Sequence, residues 1–352
     1  MSNDTIFKIP NYYEDVIPQQ NLSTFKSHFR MTCTQFEVIL NNIGHSQLFV
    51  KKSEEQFGGR KQICPEKALL ITLWTLATPD CYRSVGERFN VSKSSVYNTI
   101  RLVVQIILTE LCPKFIKWPD QNEKAEIAIN FNQYGLQNVL GVIDGCHIPI
   151  RRPSENGIDY FNRKKFYSLV LQAICTSDLL FIDCDVRWPG SVHDSRVLRT
   201  SNFYQVAPDL CGVDYYIIGD AAYPSKTWLM THFRNNGHLT PPQVFYNTQL
   251  SKTRVKIENT FALLKGRFRR LKDELVRYHI EDYVKTIVAC CVLHNICIIE
   301  DDNDLQEYIH EGRDERHIPM VLENHELEEN NGFIRRNEVV ADLWNRHMNQ
   351  EI

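Results

Sequence analysis

Apolar positions recur at helical spacing over residues 21–43, at Phe25, Phe29, Met31, Phe36, Val38 and Ile39, and predict an N-terminal helical segment. A "GGR" break at residues 58–60 follows. Residues 65–76 are then almost continuously apolar with Pro65 in the first turn, the pattern of a buried helix. The next stretch, "YRSVGERFNVSKSSVYNTIRLV", predicts a short helix over 84–89, a turn at Asn90 and Val91, and a second helix opened by Ser92 as N-cap. Val85 and Phe89 would pack against Val96, Ile100 and Val103. Lys93, Ser94, Ser95, Tyr97, Asn98 and Arg101 are left facing outward. Short polar and basic side chains at the start of a second helix suit a major-groove reader, and an ordinary helical hairpin with a solvated face fits the same pattern.

Residues 113–136, with Pro113, Trp118, Pro119 and the polar run "PDQNEKAE", suit a linker. Short β-branched runs bounded by turn residues come next: "LGVIDGCHIPIRR", "YSLVLQAICT" (167–176), "LLFIDCDVRW" (179–188) and "DYYIIGDAAYP" (214–224). A short helix is predicted over 193–200, and a long one from about residue 252 to 271. A mixed sheet with helices to its sides, an α/β arrangement, accommodates this order.

A chain of 352 residues can bury a large core and holds about two folded units. The net charge of -3 conceals a basic run over 252–277 and an acidic run over 301–329. The 11 cysteines are odd in number and form no CxxC pair, which argues against structural zinc and for a reducing compartment. Cys175, Cys290, Cys291 and Cys297 sit inside apolar runs, where free cysteine behaves as a small hydrophobe. No apolar run is expected to reach the 18 or so residues of a membrane span. A soluble intracellular protein is the expectation.

Asp144 stands in the middle of the first strand, where an isolated charge costs several kcal/mol unless it is paired or bound to a cation. Asp194, after "WPGSVH", Asp220, ending "YYIIGD", and Glu258, in "RVKIENTFALLKGRF", are further acids at element ends or inside apolar segments. Glu258 falls in line with a stripe of Val255, Phe261 and Leu264, on the predicted buried side. Each has a structural reading: Asp194 as a helix cap, Asp220 holding a turn, Glu258 paired with Arg254. If the acids converge, two bare carboxylates about 4 Å apart repel by about 4 kcal/mol at an effective dielectric of about 20. Hard divalent cations, Mg²⁺ or Mn²⁺, are then the natural partners, and two of them suit an in-line displacement at phosphorus. On this reading Asp144 is compensated by metal rather than by a protein cation.

The motifs "GVIDGCHIPIRRP", "YFNRKKFYSLVLQAI", "VRWPGSVHDSRVLRTS", "IIGDAAYP", "FYNTQLSKTRVKIENTFALLKGRFRRLK" and "VLHNIC", in that order over residues 140–299, resemble those of the PIF/Harbinger transposase family and its transposase-derived nucleases. The resemblance implies a ribonuclease H-like DDE core behind an all-helical helix-turn-helix region. Its catalytic triad would be Asp144, Asp220 and Glu258, with Asp194 a further metal ligand. Cys146, where the family usually has Thr, and "ENTFALLKGRF" in place of "ERAFGLLKGRF" depart from the pattern without removing an acid. Lys252, Arg254 and Lys256, then Lys265, Arg267, Arg269 and Arg270, flank Glu258 and would hold phosphates, with Arg163, Lys164 and Lys165 adding to that surface.

The expected activity is metal-dependent cleavage of DNA phosphodiesters, with strand transfer as a further step. A catalytically silent DNA- or chromatin-binding protein is the alternative from another class. The expected organisation is an N-terminal helical segment (1–60), a helix-turn-helix-like region (61–112), a linker (113–136), an endonuclease domain (137–300) and an acidic tail with a terminal helix (301–352). DNA is the expected partner, with Lys93, Ser95, Asn98, Arg101, Lys265, Arg267 and Arg270 contacting it. Members of the family commonly work with a Myb-like protein. Nuclear localisation, with some cytoplasmic protein, follows from the substrate, and homo-oligomer formation is left open.

Overall fold

The computed structural model describes residues 11–49, 63–235, 237–273, 279–300, 305–313 and 330–349. The break at residues 58–60 and most of the acidic run lie outside them. The chain divides into two compact units: residues 1–115, 149–151 and 263–313, and residues 116–148, 152–262 and 314–352. This grouping differs from the expected one, because the segment expected to be a single 137–300 domain is shared between the units.

The first unit is helical. The apolar pattern over 21–43 resolves into two helices, Leu22–Phe29 and Cys33–Ile43. The break comes at Arg30, whose backbone is left-handed (φ 59°), and a capping box between Thr32 and Gln35 restarts the chain. The helix Pro65–Ala77 begins with its proline, as expected, and is buried on nearly every side. Trp74 makes edge contacts with Tyr12, Phe29 and Phe89. The helices Tyr82–Arg88 and Lys93–Ile106 flank a turn in which Asn90 is left-handed (φ 52°), and the Ser92 hydroxyl accepts from the Ser95 amide. Val85, Phe89, Val96, Ile100 and Val103 are buried between and beneath them. The helix Ile280–Ile299 corrects the expectation that no segment is long and apolar enough for a membrane span. It meets that length and hydropathy, and most of it is buried as the unit's core helix.

The second unit is built on a five-stranded mixed sheet in the order β3-β2-β1-β4-β5: β1 Val139–Pro149, β2 Ser168–Cys175, β3 Phe181–Pro189, β4 Tyr216–Ile218 and β5 Leu229–Met230. β2 pairs antiparallel with β3, whereas β4 runs parallel to β1 and to β5. Every residue of β2 is buried, which accounts for its mostly apolar sequence, broken only by Ser168 and Gln172. β5 has only two residues, too few to carry a pattern. The helices Asp194–Thr200 and Asn202–Cys211 contribute Leu198, Phe203, Ala207 and Cys211 to a core with Leu140, Ile143, Ile174, Ile217 and Trp228. The expected linker contains a helix, Gln121–Asn132, closed by an Asp120–Glu123 capping box. The helix expected from about residue 252 starts earlier and spans Pro241–Arg267. The terminal helix Asn330–Met348 packs closely within this unit. A Cβ on Gly332 would lie 2.5 Å from the Ser225 carbonyl oxygen, and the buried Arg336 guanidinium sits 4.0 Å above the Phe233 ring.

Candidate active site

Strand register brings the first two acids together. Val142 of β1 is paired with Ile218 of β4 in a parallel ladder, so Asp144, within β1, and Asp220, just past the end of β4, each two residues further on, stand side by side. The Asp144 Oδ1 accepts the Gly145 amide at 2.9 Å, and the Asp220 Oδ1 accepts the Ala222 amide at 2.9 Å. Asp194 arrives from the start of its helix, one residue after the N-cap position of His193, so it is not the cap. Its carboxylate lies directly against Gly145. A Cβ there would meet Asp194 Oδ1 at 2.3 Å, which leaves room for glycine alone.

The electrostatics follow from this crowding. Burial pushes the Asp194 carboxyl up to about 8, with the charges of Asp144 and then Asp220 adding to it and Arg163 and Arg254 opposing. Burial, then Asp144, pushes Asp220 up to about 6, against the pull of Arg254 and two backbone amides. Beneath them the Tyr223 hydroxyl, raised well above its ordinary range mainly by burial, is bonded to the Gln172 amide at 3.2 Å.

Arg254 corrects the expectation that metal alone compensates Asp144. Its Nη2 lies 3.1 Å from Asp144 Oδ2 and 3.9 Å from Glu258 Oε1, one helical turn away. Glu258 itself is exposed, with its side chain 54% accessible, and Val255 beside it is exposed too. The buried stripe of this helix is instead Leu250, Thr253, Ile257, Thr260, Phe261 and Leu264. Two of these are threonines, whose hydroxyls donate to the carbonyls one turn back (Thr253 to Gln249, Thr260 to Lys256), so a stripe read from apolar residues alone selects the wrong face.

The downstream basic residues need the opposite correction. Lys265, Arg267 and Arg270, expected on a phosphate-binding face, are all buried in the helical unit. Arg267 donates to the Arg30 carbonyl at 2.8 Å and lies over the Tyr308 ring, whereas Arg270 donates to the Asp80 carbonyl at 3.1 Å. The long stems of Arg267 and Arg270 are buried and their charged ends satisfy backbone oxygens. On the helix opened by Ser92, Lys93, Asn98 and Arg101 are exposed. Tyr97 and Arg101 are both held by Asp282, at 2.9 and 3.1 Å, and the Ser95 hydroxyl is shared with Ser92 at 2.8 Å. Gly145 and the Tyr223–Gln172 pair were not singled out as site residues, and Arg254 was expected to hold phosphate or pair with Glu258 rather than to hold Asp144. The one available signal was the four-residue spacing of Arg254 and Glu258.

All donors in the acidic group are carboxylate oxygens, crowded together and partly uncompensated, which is the chemistry a hard divalent cation suits. Among the described residues, no three His, Cys, Asp or Glu side chains are disposed as a ready metal group.

Residues 143–295 match the family described as DDE superfamily endonuclease. The chain is 28% identical over 306 residues to the Arabidopsis thaliana protein named antagonist of like heterochromatin protein 1, covering 83% of this chain and 76% of that one. It is 29% identical over 285 residues to the human protein named "Putative nuclease HARBI1", covering 77% of this chain and 80% of that one. No solved structure matches the chain significantly.

Proposed function

From the match of residues 143–295 to the family described as DDE superfamily endonuclease, we propose that the chain is a divalent-metal-dependent nuclease hydrolysing DNA phosphodiester bonds. The observation that carries this reading is the parallel register of β1 and β4, which sets Asp144 beside Asp220, with Asp194 pressed against Gly145. A strand order of 3-2-1-4-5 with β4 parallel to β1 supports assignment of the core as ribonuclease H-like.

Asp144, Asp194 and Asp220 would hold Mg²⁺ or Mn²⁺, and Glu258, which faces solvent on the helix Pro241–Arg267, would have to turn toward them to complete the triad. The bound ions would supply Lewis acidity toward the phosphodiester and toward water. The protein's part is positioning: the middle of β1, the segment just after β4 and one helix start fix three carboxylates, and Arg163, 2.8 Å from His193, places a cation beside Asp194 that can meet a phosphate. Lys93, Ser95, Asn98 and Arg101 on the helix after Ser92 are read as the DNA-contacting face of a helix-turn-helix. Strand transfer, a Myb-like partner and a nuclear location complete the reading.

The test is nicking of supercoiled plasmid by the full chain in Mg²⁺ or Mn²⁺. Wild-type protein is expected to nick and Asp220→Asn to be inactive while retaining its fold. Nicking by Asp220→Asn at the wild-type rate would sink the assignment, and DNA binding without nicking in either metal would favour the catalytically silent alternative.

A further inference from the structure

We infer that Arg254 is a built-in counter-cation of the carboxylate site, holding Asp144 while no divalent ion is bound and surrendering it when one binds. The inference rests on the metal reading above. Both oxygens of Asp144 are engaged: Oδ1 by the Gly145 amide at 2.9 Å and Oδ2 by the Arg254 guanidinium at 3.1 Å. An ion that takes Oδ2 competes with the guanidinium for the same oxygen. A divalent charge and a guanidinium at neighbouring positions on one carboxylate repel each other strongly.

Arginine suits this role because it cannot shed its charge. A lysine enclosed to the same degree could lose its proton, whereas the guanidinium stays cationic and keeps neutralising the acids. The side chain also has somewhere to go. It is 20% accessible, so the displaced guanidinium can turn toward solvent and leave the Glu258 carboxylate to the metal. The Arg254 Nε is buried with no hydrogen-bond partner among the described residues, so the guanidinium is incompletely satisfied where it stands. A buried donor left unpaired lowers the cost of leaving Asp144.

Two consequences have opposite signs. Removing the guanidinium should weaken the metal-free protein, where Asp144 and Asp220 lose their main cation, and should tighten metal binding, because a competitor and a positive charge have gone. A residue that only supports the fold would weaken both.

The experiment is calorimetric titration of the full chain with Mn²⁺ alone, together with melting curves with and without Mn²⁺. Arg254→Gln should melt lower than wild type without metal, bind Mn²⁺ about tenfold more tightly and gain more in melting temperature on saturation. Arg254→Lys, which keeps a cation, should stay near wild type in affinity. Mn²⁺ binding by Arg254→Gln that is equal to or weaker than wild type would overturn the role of Arg254 alone. No Mn²⁺ binding by either protein would remove the metal reading and this inference with it. If Arg254→Gln does not fold, the wild-type protein supplies the measurement. The Arg254 Nε–Hε resonance should move with Mg²⁺ and saturate, and an unmoved resonance in the presence of bound metal would overturn the inference.

Discussion

The helix Pro241–Arg267 carries basic residues along its length and uses them in two ways, divided between Ala262 and Leu263, where the chain passes from one compact unit to the other. In the upstream part, Lys252 is exposed, Lys256 lies 5.0 Å over the Tyr134 ring and Arg254 faces the carboxylates. Downstream, Lys265 and Arg267 are buried, and Arg267 serves the Arg30 carbonyl and the Tyr308 ring. Two stretches with the same residue types thus do different work, one electrostatic and one structural. A run of positive charge in a sequence reports where cations are, while the packing around each one decides whether a phosphate can reach it.

The largest separation of the two stretches is expected in catalysis. Asp144→Asn or Asp220→Asn should lower plasmid nicking by about 10³-fold with the far-UV spectrum unchanged, since an amide keeps the shape and loses the cation-binding charge. Arg267→Ala should leave the chemistry of the site alone and cost about 2–4 kcal/mol in urea denaturation, because the Arg30 carbonyl and a large buried volume lose their partner. A mutant of unchanged stability would show that Arg267 is not structural.

Asp194 gives a pH test. Its carboxyl is raised from 3.8 to about 8, so between those values the folded protein holds a proton that the unfolded chain has released. The folded state is therefore favoured below about pH 4, loses that advantage as pH rises and levels off above about pH 8. Asp194→Asn should flatten this fall in the metal-free melting temperature. Parallel pH profiles for mutant and wild type would contradict the placement of Asp194.

Smaller effects are expected at the DNA-facing positions. Asn98→Ala should cost about 1–3 kcal/mol of preference for a specific duplex if the side chain reaches a base edge, and nothing in random DNA. Lys252→Ala should flatten the salt dependence of binding by nearly one unit of log-log slope, whereas Lys265→Ala, at a buried position, should leave the slope unchanged. Equal slopes in the Lys252 and Lys265 variants would erase the distinction between the two parts of the helix.

Local pattern made several elements legible. Pro65 and an apolar run announced the helix Pro65–Ala77, Ser92 announced the next capped start, and the β-branched run of β2 announced a buried strand. The break at Arg30 was hidden because a left-handed residue flanked by two amphipathic stretches leaves the apolar spacing nearly continuous. β5 was hidden by its length. Asp144, Asp194, Asp220 and Glu258 were identifiable as a set because acids at element ends inside apolar segments demand compensation.

The sequence by itself determined the helix starts at Pro65 and Ser92 and the buried strands, and it singled out four acids as candidates, since these depend on residue type and near-neighbour spacing. The tertiary structure alone decided which acids meet, that the Asp194 carboxylate rests on Gly145, that Glu258 faces outward and that Arg254 rather than Arg267 is the arginine facing the carboxylates. The reason is geometric. Strand register and helix rotation are fixed by contacts between residues far apart in the chain, and a rotation of about 100° per residue along a helix moves a charge from core to solvent without changing the composition of the segment.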